Sequence, residues 1–170
     1  MKPWIAALLV LLAVPAAAQQ HQHGHGPYAG MQHRAVKALS EQQIADLRAG
    51  KGMGLALAAE LNGYPGPMHV LELGDKLNLT SQQRQEVQKL YAAMNAEAIA
   101  TGEKLIESEA ALDWEFAAGK ITSARLTLLT AQIGEQQGAL RAVHLKYHLT
   151  TAELLSADQR QSYGELRGYR

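Results

Sequence analysis

Cysteine is absent from this 170-residue chain, which excludes disulfide bonds, thiolate metal sites and cysteine nucleophiles together. Aromatic residues are few, with one Phe and two Trp, so an aromatic-rich β-sheet core is not expected. The chain also lacks an excess of charge of either sign, because 16 Lys and Arg residues balance 16 Asp and Glu residues. It has no basic stripe of the kind that binds nucleic acid. Ala, Leu and Gln dominate instead, and these helix formers predict an all-α protein.

The N-terminus has the three parts of a secretory signal peptide. Lys2 provides a positive charge, residues 5–14 form an apolar run, and Ala16-Ala17-Ala18 offers a cleavage site. The apolar run is too short to span a bilayer, which needs about 20 residues. We therefore expect export, with residues 1–18 removed after Ala18. No feature of an organelle-targeting segment is present, so the bacterial periplasm is the expected location.

The segment from residue 19 to residue 38 is rich in Gln, His and Gly, and we expect it to be a disordered tail. His21, His23 and His25 alternate within it. Such a tract can chelate Zn²⁺, Cu²⁺ or Ni²⁺ loosely without a preformed site. The alternative is a polar linker between the cleavage site and a helical domain, which we place at residues 39–170.

A pattern of the form Leu-[Ser/Thr]-x-x-Gln occurs at residues 39–43, 79–83 and 155–159. In such a capping box, the hydroxyl accepts from an amide three residues later and the Gln side chain returns to the amide of the capping residue. Each copy therefore predicts the start of a helix. The capping residues of the second and third copies are Leu79, Thr80, Gln83, Leu155, Ser156 and Gln159.

Hydrophobic spacing predicts two long helices, at residues 81–118 and 122–154, with a turn at Gly119 and Lys120. Shorter helices are expected at residues 40–48, 55–61, 67–76 and 157–167. Long helices joined by a tight turn must lie antiparallel, so the predicted fold is a long antiparallel α-hairpin with short flanking helices. A hairpin cannot bury all its apolar surface alone. Either the short helices cover that surface or a second subunit does, and we expect a homodimer.

This arrangement resembles the Spy/CpxP family of periplasmic stress proteins, in which the motif is called LTxxQ. Residues 79–83 match the motif fully, and residues 155–159 match it with Ser in place of Thr. The same superfamily contains the zinc-associated ZraP-type proteins and the CnrX-type heavy-metal sensors. The resemblance covers about residues 66–168 and the signal peptide, whereas residues 40–66 extend beyond the small Spy-like core.

The resemblance implies a curved homodimer whose concave face holds unfolded envelope proteins without ATP, or an adaptor that contacts a membrane signalling protein. The apolar residues expected on that client-binding face are Leu90, Met94, Ile106, Leu140 and Leu145. Residues 50–54 are rich in Gly, but no strand precedes them, so a nucleotide site is not expected. No pair of carboxylates is expected to converge in a cleft, and we predict that the protein is not an enzyme.

His144 and His148 are the candidate ligands of an ordered metal site. At i and i+4 on a helix they share one face, and their spacing suits two ligands. A third ligand would come from His69, Glu60 or the tail. The alternative is that both are partly exposed residues beside the helix seam.

Metal binding at these histidines underlies a second functional hypothesis, a periplasmic metal sensor or buffer of the ZraP or CnrX kind that takes Zn, Cu or Ni. The first hypothesis requires no cofactor. Met31 and Met53 are candidate Cu(I) ligands, but the sequence contains no cluster of Met, and we expect both to be packing residues instead.

Overall fold

A computed structural model describes residues 26–169, and within them the chain forms helices and turns without any β-strand. A 3-10 turn at Met31–His33 precedes six helices: α1 (Glu41–Arg48), α2 (Leu57–Glu60), α3 (Pro67–Glu72), α4 (Ser81–Ala117), α5 (Ser123–Leu154) and α6 (Ala157–Leu166). The predicted all-α class is therefore confirmed for this part of the chain. The predicted signal peptide, its cleavage point and His21, His23 and His25 lie outside the described residues.

All three capping boxes form as the motif predicts. The side chains of Ser40, Thr80 and Ser156 accept hydrogen bonds from the amides three residues later, at 3.1 Å in each case. The Gln side chain of each copy accepts in return from the amide of its capping residue. The motif therefore sets where α1, α4 and α6 begin. Thr122 caps α5 with a single hydrogen bond, from the amide of Arg125.

The two long helices contact each other along their length. Near the start of α4, Gln83 donates a hydrogen bond to the carbonyl of Leu154, at the end of α5. Further along, Glu97 accepts hydrogen bonds from the ammonium of Lys146 at 2.8 Å and from the hydroxyl of Tyr147 at 2.6 Å. None of the helices within residues 26–169 has an apolar stretch long enough to cross a membrane.

The segment before and within α1 covers one side of the long helices. One apolar cluster combines residues of this segment with residues of α4 and α5: Val36, Leu39, Leu47, Ala98, Leu105, Ile106, Ile133 and Leu140. Gly102 makes the close approach possible, because a Cβ atom there would lie 2.9 Å from the carbonyl oxygen of Leu47. The sequence did not decide whether short helices or a second subunit cover the apolar surface of the long helices. In the structure, the segment that contains α1 covers at least part of it.

The described part of the predicted tail differs from the expectation of disorder. Residues 31–33 form the 3-10 turn, and Val36 is buried in the apolar cluster. The Gln, His and Gly residues that suggested disorder extend to His33, and the apolar side chain of Val36 follows them. Burial of that side chain offsets part of the entropy lost when the segment is ordered.

A second apolar cluster lies at the other end of the long helices, where α3, α4 and α6 meet. It contains Val70, Leu77, Val87, Leu155 and Tyr163. Two predicted helices are shorter than expected: α3 ends at Glu72 rather than at residue 76, shortly before Gly74, and α2 spans only Leu57–Glu60. The segment between α1 and α3 is mostly turns, and it forms one wall of the site described next.

Candidate functional site

A cavity of about 370 Å³ lies between the turns that follow α1, the start of α3 and the two long helices. Its lining includes three histidines and three methionines: His69, His144, His148, Met53, Met68 and Met94. A larger hollow of about 520 Å³ lies where the Asn62–Tyr64 turn meets the junction of α5 and α6. Its lining contains neither His nor Met, so the smaller cavity is the better candidate for chemistry.

The glycine-rich segment of residues 50–54 forms one wall of the cavity. Gly50 has a φ of +64°, and a Cβ atom there would lie 2.5 Å from the side-chain nitrogen of Asn95. Met53 has a φ of +43°, in the left-handed region that few residues other than glycine adopt. The glycines therefore allow a tight loop against α4, and that loop directs Met53 toward the cavity wall.

His148 is held in one orientation on the cavity wall. Its Nδ1 lies 2.7 Å from the backbone oxygen of Tyr64, which can only accept, so Nδ1 carries the proton. The other ring nitrogen, Nε2, lies on the side of the ring that Gly66 covers. Gly66 lies against this side of the ring, because a Cβ atom there would stand only 2.7 Å from Nε2.

His144 lies one helical turn before His148 and is only 2% exposed. Its Nε2 atom is buried and has no hydrogen-bond partner within the described residues. Burial lowers the pKa of His144, and the neighbouring His148 lowers it further. The imidazole is therefore neutral near pH 7. The interpretation of these two histidines as partly exposed seam residues is wrong, since both are buried.

Glu60 is a buried carboxylate that ties the cavity wall to the C-terminal helix. It accepts hydrogen bonds from the hydroxyls of Tyr163 and Tyr169 and, at 3.2 Å, from the amide of Gly66. Arg167 lies 3.8 Å away. Burial raises the pKa of Tyr163 above its usual range, and the hydrogen bond to Glu60 raises it further. Tyr163 is therefore a neutral donor to the carboxylate.

These contacts show whether Glu60 and His69, the predicted third ligands, are free to bind a metal ion. Glu60 comes within 3.6 Å of His148, but both of its oxygens already accept hydrogen bonds. His69 lines the same cavity, and its Nδ1 lies 3.0 Å from the carboxylate of Glu72. Within residues 26–169, no group of three or more His, Asp or Glu side chains is arranged to hold a metal ion.

The three methionines of the cavity were not recognised from the sequence. Met53, Met68 and Met94 come from the glycine-rich loop, from α3 and from α4, so no local spacing relates them. Met94 is buried, whereas Met53 and Met68 are 43% and 40% exposed. Met53 was predicted to be a packing residue, but its side chain is too exposed for packing alone to explain it. Met31, the other methionine discussed above, does not line the cavity.

The predicted client-binding face is largely covered within the chain. Met94, Ile106 and Leu140 are buried, and Leu90 and Leu145 are partly buried. Ile106 and Leu140 belong to the cluster that Val36, Leu39 and Leu47 complete, so they are not available to a client in this conformation. Large apolar side chains that remain exposed on the long helices are instead Trp114, Phe116, Leu126, Leu128 and Leu149.

Comparison of the sequence with models of known protein families gives no match. Comparisons with curated proteins and with solved structures give no match either. The resemblance to the Spy/CpxP family therefore rests on the two motif copies of this chain and on the long helices that they flank.

Proposed function

We propose that the protein is an exported, non-enzymatic binding protein of the Spy/CpxP type, which holds unfolded envelope proteins or serves as a stress adaptor without ATP. The observation that supports this proposal is the apolar surface near the junction of α4 and α5. Trp114 and Phe116 are 56% and 55% exposed there, and Leu126 and Leu128 follow shortly after the junction. Exposed apolar side chains of this size favour contact with apolar segments of another chain.

The junction also carries charge that suits a loosely held client. Lys120 lies with its ammonium 5.0 Å from the centre of the Trp114 ring. A cation beside an exposed aromatic ring can attract acidic segments while the ring contacts apolar ones. Neither contact requires a defined shape, so the surface accepts partly folded chains of different sequence.

The proposal moves the client-binding surface away from the face that the family resemblance implies. Residues 36–47 occupy that face with Val36, Leu39 and Leu47. We infer that α4 and α5 form an antiparallel hairpin and that two hairpins assemble into a homodimer. Sedimentation across the micromolar range tests the assembly, and a monomer throughout would reject it.

Suppression of aggregation tests the holding activity directly. A thermally unfolding test protein is heated with a several-fold excess of this protein, without ATP, and light scattering is recorded. The variant W114S/F116S should lose most of the suppression. The control Y28S/L61S replaces two exposed apolar residues elsewhere and should keep it. Absence of suppression by the unmodified protein, or equal loss in both variants, would reject the proposal.

A second candidate function is a periplasmic metal sensor or buffer, and the observation that favours it is the buried, unpartnered Nε2 of His144, a residue that lines the cavity. Titration calorimetry with Zn²⁺, Cu²⁺ and Ni²⁺ tests it, using the chain with His21, His23 and His25 replaced by Asn. Replacing His144 and His148 by Asn should then abolish binding. Unchanged affinity would reject an ordered site at this pair.

A further inference from the structure

We propose that the cavity binds a soft monovalent metal ion, of which Cu(I) is the representative, through the thioethers of Met53, Met68 and Met94 and a ring nitrogen of His144. This inference is independent of the client-holding proposal. It restricts the second candidate function, metal binding, to soft monovalent ions, and it adds three methionines to the histidine ligands.

The ligand chemistry separates soft ions from the others. A thioether sulfur is a soft, uncharged donor that favours Cu(I), whereas Zn²⁺ and Ni²⁺ bind better to imidazole, thiolate or carboxylate groups. Three methionines from three different segments of the chain line the cavity. Its carboxylate, Glu60, is already engaged by Tyr163, Tyr169 and the amide of Gly66. The free donors are therefore neutral, and they suit an ion of single charge better than one of double charge.

The methionines also have the freedom to converge. Met has three rotatable bonds beyond the backbone and adapts to irregular spaces. Met53 and Met68 are about two-fifths exposed, so packing does not fix the ends of their side chains. Met94 is buried on α4 and provides a fixed point. The side chains of Met53 and Met68 can therefore adopt other rotamers without moving the helices.

His144 supplies an independent indication of a ligand. A buried polar atom without a partner is unfavourable in a folded protein, and the Nε2 atom of His144 is in this state within the described part of the chain. Its ring lies beside the glycine-rich loop, because a Cβ atom on Gly52 would stand 3.8 Å from Nδ1. The lowered pKa keeps the ring neutral, which is the form that binds metals.

The backbone of Met53 points the same way. A left-handed conformation is unfavourable for a residue with a long side chain, and such conformations cluster at functional sites. Met53 adopts it between Gly52 and Gly54. Glycine would adopt this backbone conformation without strain. The presence of Met at this position therefore indicates that its side chain has a function.

The charges around the cavity are compatible with one added positive charge. The ammonium of Lys51 is paired with Asp46 at 2.8 Å, and Arg167 faces Glu60 at 3.8 Å. The remaining histidines on the wall are His69, which faces Glu72, and His148, which faces Glu60. Both histidines therefore face a carboxylate that offsets positive charge.

Competition against a chromogenic Cu(I) chelator under reducing, anaerobic conditions tests the site. The protein is the full chain with His21, His23 and His25 replaced by Asn, so that the tail does not compete. We expect one Cu(I) ion per chain, and we expect M53L/M68L to weaken binding by about tenfold or more, since tenfold is only about 1.4 kcal/mol. The matched control M31L should bind as the parent does.

Leu is close to Met in volume, and Met53 and Met68 are exposed, so M53L/M68L should fold normally. Equal Cu(I) affinity in M53L/M68L and the parent would overturn the proposal. A second result would also overturn it: the His144 and His148 variants lose both Zn²⁺ and Cu(I) binding, whereas M53L/M68L binds Cu(I) as the parent does. That second result would leave the histidine-based metal function standing.

Nuclear magnetic resonance supplies a second measurement that needs no substitution at buried Met94. Protein labelled with ¹³C at the methionine methyl groups is titrated with Ag(I), a redox-inert soft ion. The methyl signals of Met53, Met68 and Met94 should shift together, while that of Met31 stays in place. Shifts at Met31 alone, equal shifts at every methionine, or none at all would each contradict the proposed site.

Discussion

The side-chain amides of Gln83 and Gln159 bond to each other in both directions, with nitrogen-to-oxygen distances of 2.9 Å and 3.1 Å. Each Gln belongs to a capping box, and each also donates to a backbone carbonyl of the other region, Leu154 for Gln83 and Leu77 for Gln159. The two motif copies therefore do more than start two helices. They form one polar connection that joins the beginnings of α4 and α6.

This connection predicts that Q83A and Q159A are each costly. Either change removes a cap and leaves the remaining amide partly unpaired, so we expect a loss of about 1–3 kcal/mol in the free energy of unfolding. Q43A is the matched control, because the hydrogen bonds of Gln43 stay within its own capping box, and it should cost about 0.5–1 kcal/mol. Urea denaturation measures all three. Equal costs at the three positions would show that the amide pair adds nothing.

Two glycines in the long helices should respond oppositely to the same substitution. At Gly102 a Cβ atom would lie 2.9 Å from the backbone oxygen of Leu47, so G102A must displace α1 and should destabilise the fold by about 1–3 kcal/mol. A Cβ atom at Gly138 would meet no neighbouring atom of the described residues within 4 Å, and G138A should stabilise by about 0.5–1 kcal/mol. Thermal unfolding distinguishes the two signs. A stabilising G102A would mean that α1 does not lie against α4.

Tyr163 should contribute to stability through its hydroxyl. The side chain is 1% exposed and donates to the buried carboxylate of Glu60. Y163F removes one donor from that carboxylate, and we expect a loss of about 1–3 kcal/mol. Y28F, at a position 77% exposed, is the control and should change the free energy of unfolding by less than about 0.5 kcal/mol. A neutral Y163F would indicate that water replaces the hydroxyl without cost.

Acidification should destabilise the fold through His144, whose pKa is lowered mainly by burial. Well above the ordinary histidine pKa of about 6.5, the group is neutral in both states and has no effect. Below it, the unfolded chain binds a proton that the folded chain does not, so the free energy of unfolding falls as pH decreases from about 7 to 5. H144N should flatten this part of the curve, whereas H33N, at an exposed position, should not. An unchanged slope in H144N would contradict the assignment.

Local signals in the sequence were enough to predict much of the helical structure. Capping at Ser40, Thr80 and Ser156 depends on residues within one turn, and the predicted ends of α4 and α5 agree with the structure to within about a residue. The two shortest helices, α2 and α3, were predicted less well. α3 ends at Glu72, and the segment before α2 forms turns, because packing rather than local preference decides the conformation of a few residues.

The site could not be predicted to the same extent, because it depends on contacts between distant segments. The spacing of His144 and His148 identified one wall, but it could not show that both rings are buried or that Tyr64 fixes one of them. The residues around Gly102 in the sequence do not show that the backbone near Leu47 approaches α4 at this position. The methionines of the cavity become neighbours only once that approach is made.

The hydrogen bonds of Glu60 also set an order of events during folding. Its two tyrosine donors lie 103 and 109 positions later in the chain. The wall that Glu60 helps to build therefore stays incomplete until the segment that carries Tyr163 and Tyr169 has folded back onto it. Loss of the Tyr163 hydroxyl is therefore expected to loosen this wall of the cavity as well as to destabilise the fold.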